Sequence, residues 1–156
     1  MEKPKSPTIY LVEDDHYFCQ LMEAMLNSIG YKKQYYFNKT EDFLNALPGN
    51  PDIIFLDYYI DDLNGLDVLK KIKQYNPEAI VIFISGQEDL NVAINTLKHG
   101  AFDYLMKATI SAERLQAVIE KAQEFRTNSK KRNKTNFSLV SKLFTLLTFK
   151  LFGPSI

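Results

Sequence analysis

The sequence predicts an α/β fold: a doubly wound, five-stranded parallel sheet with helices on both faces, (βα)5 in plan, followed by a basic and apolar C-terminal tail. Three observations carry this. The runs Thr8 to Val12, Ile53 to Leu56 and Ala79 to Ile84 are apolar without alternation, as strands covered on both faces are. Segments between the strands repeat apolar residues at i, i+3, i+4, the period of a helix with one buried stripe. Strand and helix alternate five times, which makes the sheet parallel.

Taken in order, Thr8 to Val12 ends on Glu13, Asp14 and Asp15. A first helix carries Phe18, Leu21, Met22, Met25, Leu26 and Ile29 on one stripe, and Gly30 stops it. Gln34 to Phe37 is a weaker strand whose Tyr35, Tyr36 and Phe37 read as packing. Asn38 suits the cap of a second helix, with Glu41 completing a capping-box pattern, and Pro48-Gly49 breaks it. The third strand, Ile53 to Leu56, stops on Asp57. Leu66, Leu69 and Ile72 mark a third helix that ends near Asn76-Pro77. Ala79 to Ile84 is the fourth strand and Asp89 to Lys98 the fourth helix, closed by Gly100. Phe102 to Met106 is the fifth strand, and Leu115, Val118, Ile119 and Ala122 mark the fifth helix.

At 156 residues, 46% of them apolar, the chain suits one domain with a real core. The single cysteine, Cys19, excludes a disulfide framework and a cysteine-based metal site, and reads as a structural thiol on an apolar helical face. No N-terminal apolar run resembles a signal peptide, so a cytoplasmic location is expected. A net charge of zero hides an asymmetry. From Thr127 onward there are six basic residues and no acidic one, leaving 13 basic and 19 acidic residues, net −6, in the first 126.

The chemistry comes from where the strands end. In open α/β sheets ligands bind outside the carboxyl ends of the strands. There the first strand delivers Glu13 and Asp14, the third Asp57, the fourth Ser85-Gly86, and the fifth is followed by Lys107. Converging carboxylates repel and raise one another's pKa. A hard divalent cation relieves this, and oxygen-only ligands with room for water suit Mg²⁺. Asp15 is explained by the helix N-terminus it opens. A lysine, a hydroxyl and a cation around an ionised carboxylate are the parts of phosphoryl transfer, with Asp57 as nucleophile. His99 is explained by its place in the last turn of a helix, and His16 reads as surface.

In these residues the chain resembles the receiver domain of two-component response regulators. The resemblance rests on Leu-Val-Glu13-Asp14, Phe-Leu-Asp57 with Gly65 eight residues on, Ile-Ser85-Gly86, the run His99-Gly100-Ala101-Phe102-Asp103-Tyr104-Leu105, and Lys107. It implies a flavodoxin-like strand order 2-1-3-4-5 over a domain spanning 7–126. It further implies that Asp57 accepts phosphate from a histidine kinase or phosphotransfer protein. Glu13, Asp14, Asp57 and the backbone carbonyl of Tyr59 would hold Mg²⁺. Ser85 would bond the phosphoryl group, Lys107 would pair with it, and Tyr104 would be the aromatic switch. Such a protein catalyses only its own phosphoryl transfer and slow autodephosphorylation, and signals to a downstream protein. An aspartate-nucleophile hydrolase is the rival enzyme, though its nucleophile would follow the first strand. A phosphate-independent adaptor and a membrane-surface binding module are rivals that need no turnover.

Three positions depart from the family. Ala108 stands where a proline follows the lysine through a cis bond; before a non-proline that bond costs about 2.5–4 kcal/mol, so a differently shaped loop is expected. Asp61 replaces a proline. Tyr59 flanks the acceptor in place of a small or polar residue, and is expected to exclude water from the acyl phosphate. Gln87 can orient a water but cannot act as a general base.

The tail divides into a basic linker or helix extension, 127–136, and an amphipathic, helical segment, 137–152. On a helical wheel Ser138, Ser141, Lys142, Thr145 and Thr148 share one face. Leu139, Val140, Leu143, Phe144, Leu146, Leu147 and Leu151 cover the other; Phe149, Lys150 and Phe152 break the pattern. Sixteen residues are short for a membrane span. An anionic membrane surface, a docking site on the domain and a homodimer are the expected partners of this segment, and no direct DNA binding is expected.

Overall fold

The structure, a computed structural model, describes residues 6–61, 63–86 and 90–152, without the side chains of 136–138, 140 and 142–152. The chain divides into two compact units, Met1–Ala122 and Gln123–Ile156.

The first unit is built on five parallel strands, β1 (Ile9–Val12), β2 (Gln34–Phe37), β3 (Ile53–Asp57), β4 (Val81–Ser85) and β5 (Asp103–Met106), in the order β2-β1-β3-β4-β5. This is the flavodoxin-like order. Every residue of β1, β3 and β4 is buried, which is why these strands read as unbroken apolar runs. Alternate side chains of β3 enter different cores. Ile53 and Phe55 join Phe18, Met22 and Leu26 of α1 (His16–Ser28) and Leu115, Val118 and Ile119 of α5 (Ala112–Phe152). Ile54 and Leu56 join Phe43 of α2 (Thr40–Ala46) and Leu66, Leu69 and Ile72 of α3 (Gly65–Tyr75). Fully burying each such side chain stabilises the fold by roughly 1.5–3 kcal/mol. Edge strand β2 leaves Tyr35 and Tyr36 exposed; Phe37 packs against a core, and the Tyr35 ring stands edge-on to the buried Tyr10 at 5.4 Å.

Several local expectations are corrected. Leu21 is exposed although it falls on the helical period, because the buried stripe of α1 is the narrower Phe18, Met22, Leu26. Asn38 does not cap α2. Its N-cap is Lys39, which makes no side-chain cap bond; the Thr40 N–H donates instead to Asp61 Oδ2 at 2.6 Å, from a loop 21 residues away. The fourth helix, α4, is Leu90–Lys98, and Asp89 lies outside the described residues. Among the described residues no peptide bond is cis, so the Lys107–Ala108 bond is trans and opens a 3-10 turn, Lys107–Thr109.

Helix α5 passes without interruption through 127–136 to Phe152. Its first turns bury Leu115, Val118, Ile119 and Ala122. The expected amphipathic face of 137–152 falls on side chains outside the described ones. Among the described residues no helix is long and apolar enough to cross a membrane.

Candidate functional site at the carboxyl edge of the sheet

Parallel pairing in register brings the ends of β1, β3, β4 and β5 to one edge: Val12 pairs with Leu56, Asp57 with Ile84, and Ser85 with Met106. The residue after Val12 is Glu13 and the residue after Met106 is Lys107, so the register itself assembles Glu13, Asp57, Ser85 and Lys107. The Glu13 N–H donates to the Phe37 carbonyl (2.9 Å), anchoring the end of β1 to β2. The Asp15 side chain turns away to cap α1, accepting from the N–H groups of Tyr17 (2.9 Å) and Phe18 (3.1 Å).

Lys107 binds this edge together. Its Nζ donates to Asp57 Oδ2 at 3.0 Å and lies 2.6 Å from Glu13 Oε2, while sitting 4.7 Å above the Phe18 ring. Glu13 is fully buried, Asp57 6% exposed and Ser85 1% exposed; Asp14 stands in solvent. Burial above all, then the Asp57 charge, pushes the Glu13 carboxyl up to about 7, although the Lys107 hydrogen bond and charge pull it down. At Lys107 burial draws the ammonium down, but hydrogen bonds and charge from Glu13 and Asp57 more than reverse this and leave it above its ordinary value.

Glu13, Asp14 and Asp57 each place a carboxylate oxygen within 4.8 Å of the other two. Glu13 Oε2 is buried, and the Lys107 ammonium at 2.6 Å is the contact described for it. An all-oxygen set of three carboxylates this close together, two of them buried, fits a hard divalent cation. Tyr59, 52% exposed, meets the other Asp57 oxygen, its backbone nitrogen 3.4 Å from Oδ1, and its ring is edge-on to Tyr58. Tyr59–Ile60 pairs antiparallel with Leu63–Asn64, and Asp61 between them has φ +53°.

Gly65 closes the loop for a steric reason. A Cβ there would lie 2.7 Å from the Phe83 ring and 2.9 Å from the Asp57 carbonyl oxygen, so only glycine lets α3 start against the acceptor's own backbone. Tyr104 is half-buried on β5 and packs against the core that holds α3. Gln87 lies outside the described residues. His99 meets the Asn95 carbonyl of its own helix (2.8 Å) and His16 is exposed; neither belongs to the site.

Three further residues contribute in ways that motif and spacing do not reveal. Phe18 reads as core alone, but its ring also supports Lys107. Cys19 Sγ lies 3.6 Å from the Glu13 carbonyl, and burial with the acids around it pushes the thiol up to about 11, which makes it inert. Asp61 fastens the acceptor loop to α2. Only Asp61 leaves a trace in the sequence, as an acid where proline is usual.

A doubly wound sheet with an acid cluster and a lysine at its carboxyl edge is the build of a response-regulator receiver domain. The model of that family, described as the response regulator receiver domain, matches residues 9–120, and the chain belongs to it. Among curated proteins it is similar to the DNA-binding transcriptional regulator NtrC of Proteus hauseri, 35% identical over 115 residues, or 73% of this chain and 24% of that protein. The response regulator protein TodT of Pseudomonas putida is 28% identical over 144 residues, 88% of this chain and 63% of TodT. The chain thus spans less than two thirds of the length of either relative. Among solved structures, the receiver domain of NtrX from Brucella abortus superposes with TM-score 0.68 at 30% identity, covering 74% of this chain and 98% of that one. The chain is accordingly a signalling component of the two-component type.

Proposed function

We propose that this chain is a phosphorylation-dependent switch in which Asp57 accepts a phosphoryl group from the phosphohistidine of a sensor kinase or phosphotransfer protein, working in the cytoplasm. The observation that carries the reading is the Lys107 ammonium, 3.0 Å from Asp57 and 2.6 Å from Glu13, beside a third carboxylate on Asp14. An Asp57 oxygen attacks phosphorus; the bond from phosphorus to the histidine nitrogen breaks and its electron pair stays on the imidazole, leaving an acyl phosphate. Lys107 neutralises charge on the transferred group. Glu13, Asp14, Asp57 and the Tyr59 carbonyl would hold Mg²⁺, which when bound supplies positive charge facing the phosphoryl oxygens.

Ser85 then donates its hydroxyl to a phosphoryl oxygen, and Tyr104 turns inward as Ser85 is drawn toward Asp57. The surface of α4, β5 and α5 changes with it, so output passes through contact with another protein. Tyr59 covers the approach of water to the acyl phosphate and lengthens its life.

Intact-mass measurement with acetyl phosphate tests this. One phosphate is expected on the wild-type chain with Mg²⁺, and none on Asp57→Asn or after chelation. Sustained release of phosphate from a phosphate monoester would make the chain a hydrolase. No mass gain with acetyl phosphate or beryllofluoride would make it an adaptor.

A further inference from the structure

One stretch of the chain carries charge that nothing within it answers. All 19 acidic residues precede Thr127. Lys130, Lys131, Arg132 and Lys134 stand exposed on helical backbone, and no ion pair joins them to another described residue. The helix continues over 137–152, where ten of sixteen residues are apolar and the only charges are Lys142 and Lys150. Leu139, the one large apolar side chain described there, is 55% exposed. A helix so rich in Leu and Phe needs cover, because leaving that surface in water is costly.

We propose that 130–152 is a peripheral membrane anchor that binds an anionic lipid surface, the basic cluster meeting the headgroups and the apolar segment lying along the interface. Charge decides against a second copy of the tail as the cover. In a parallel pair of copies the two Lys130–Lys134 clusters face each other. In an antiparallel pair each faces a segment that also holds lysines and no acid. An anionic bilayer supplies the missing negative charge and an apolar layer together. Length decides between lying and spanning: sixteen helical residues reach about 24 Å, short of a hydrocarbon core of about 30 Å.

The full chain is to be sedimented with vesicles of phosphatidylcholine alone and of phosphatidylcholine mixed with phosphatidylglycerol. Pelleting with the mixed vesicles only, weakening as salt is raised, is expected. Each basic residue at an anionic surface is worth about fivefold in partitioning, so the combined Lys130→Gln, Lys131→Gln, Arg132→Gln, Lys134→Gln variant loses roughly several hundredfold. It keeps its helical circular dichroism and its phosphorylation by acetyl phosphate. Leu143→Asp with Leu147→Asp removes the binding that remains. The proposal is overturned by no pelleting with either vesicle, by equal binding to both with the quadruple variant unchanged, or by resistance to alkaline carbonate, which marks a spanning segment. Self-association in sedimentation equilibrium without vesicle binding overturns it in favour of a second copy.

Discussion

The two sides of the crevice around Asp57 are held by different means. On one side Glu13, Asp57 and Lys107 are packed strand ends, almost wholly out of water, joined by contacts of 2.6 and 3.0 Å and backed by the Phe18 ring. On the other, the loop Tyr59–Asn64 exposes Tyr59 and Leu63, turns through a left-handed Asp61, and is fastened to α2 by one carboxylate. Groups fixed by the sheet can be preorganised for a charge that appears in the reaction. A loop anchored by Ile60 in the core but open to water at Tyr59 and Leu63 can be retuned at those exposed positions without disturbing them. In the proposed switch the first side therefore governs whether phosphate is accepted, and the second how long it stays.

The comparison is tested first where the energy is greatest. Lys107→Ala strips the cation from two buried carboxylates, and breaking such a pair costs about 3 kcal/mol. Urea unfolding should show that loss without divalent cation, and Mg²⁺ should restore more stability to the variant than it adds to the wild type. Equal gains would mean that the carboxylates do not depend on Lys107.

The pH dependence follows, with a definite sign. The Glu13 carboxyl is raised from 4.5 to about 7 in the folded chain, so between those values the native state keeps a proton that the unfolded state has released. The Glu13 contribution to stability is then full below about pH 4.5 and is lost as pH rises through about 7, a loss of up to about 3 kcal/mol for the metal-free protein. Lys107, held above its ordinary value, stays charged throughout. Melting curves at pH 5 and pH 7.5 measure the fall, and Glu13→Gln should flatten it. A wild-type profile already flat would contradict the described burial.

On the loop side the effects are smaller. Asp61→Ala removes the one side-chain cap found at the start of α2 among the described residues, worth about 1 kcal/mol, and Asp61→Asn, which keeps an acceptor, should lose less. Equal stability of Asp61→Ala and wild type would show the tie to be idle. Tyr59→Asn touches an exposed side chain and should leave stability within about 0.5 kcal/mol, yet speed loss of phosphate several-fold. Unchanged or slower hydrolysis would remove Tyr59 from control of lifetime and blunt the contrast between the two sides.

What could be read from the chain follows the same division. Glu13, Asp14, Asp57, Ser85 and Lys107 were legible because each sits at or just past a strand end, and parallel strands bring those ends to one edge. Gly65 was legible as a spacing, though its reason, the closeness of Phe83 and the Asp57 carbonyl, needs the packed structure. The tie from Asp61 to Thr40 was not legible. It joins residues 21 positions apart, while Asn38 and Glu41 offered a plausible local cap that the chain does not use. Leu21 misled for a related reason: helical period says which residues share a face, but not how wide a stripe the neighbouring elements cover.

The most direct test of the switch is chemical trapping of the acceptor. The chain is incubated with acetyl phosphate and Mg²⁺, reduced with borohydride, which converts an aspartyl phosphate to homoserine, and digested for peptide mass analysis. The account expects homoserine at position 57 alone, absent when Mg²⁺ is chelated. Homoserine at Asp14 or any other aspartate, or an unmodified Asp57 in a chain that has gained phosphate, would contradict it.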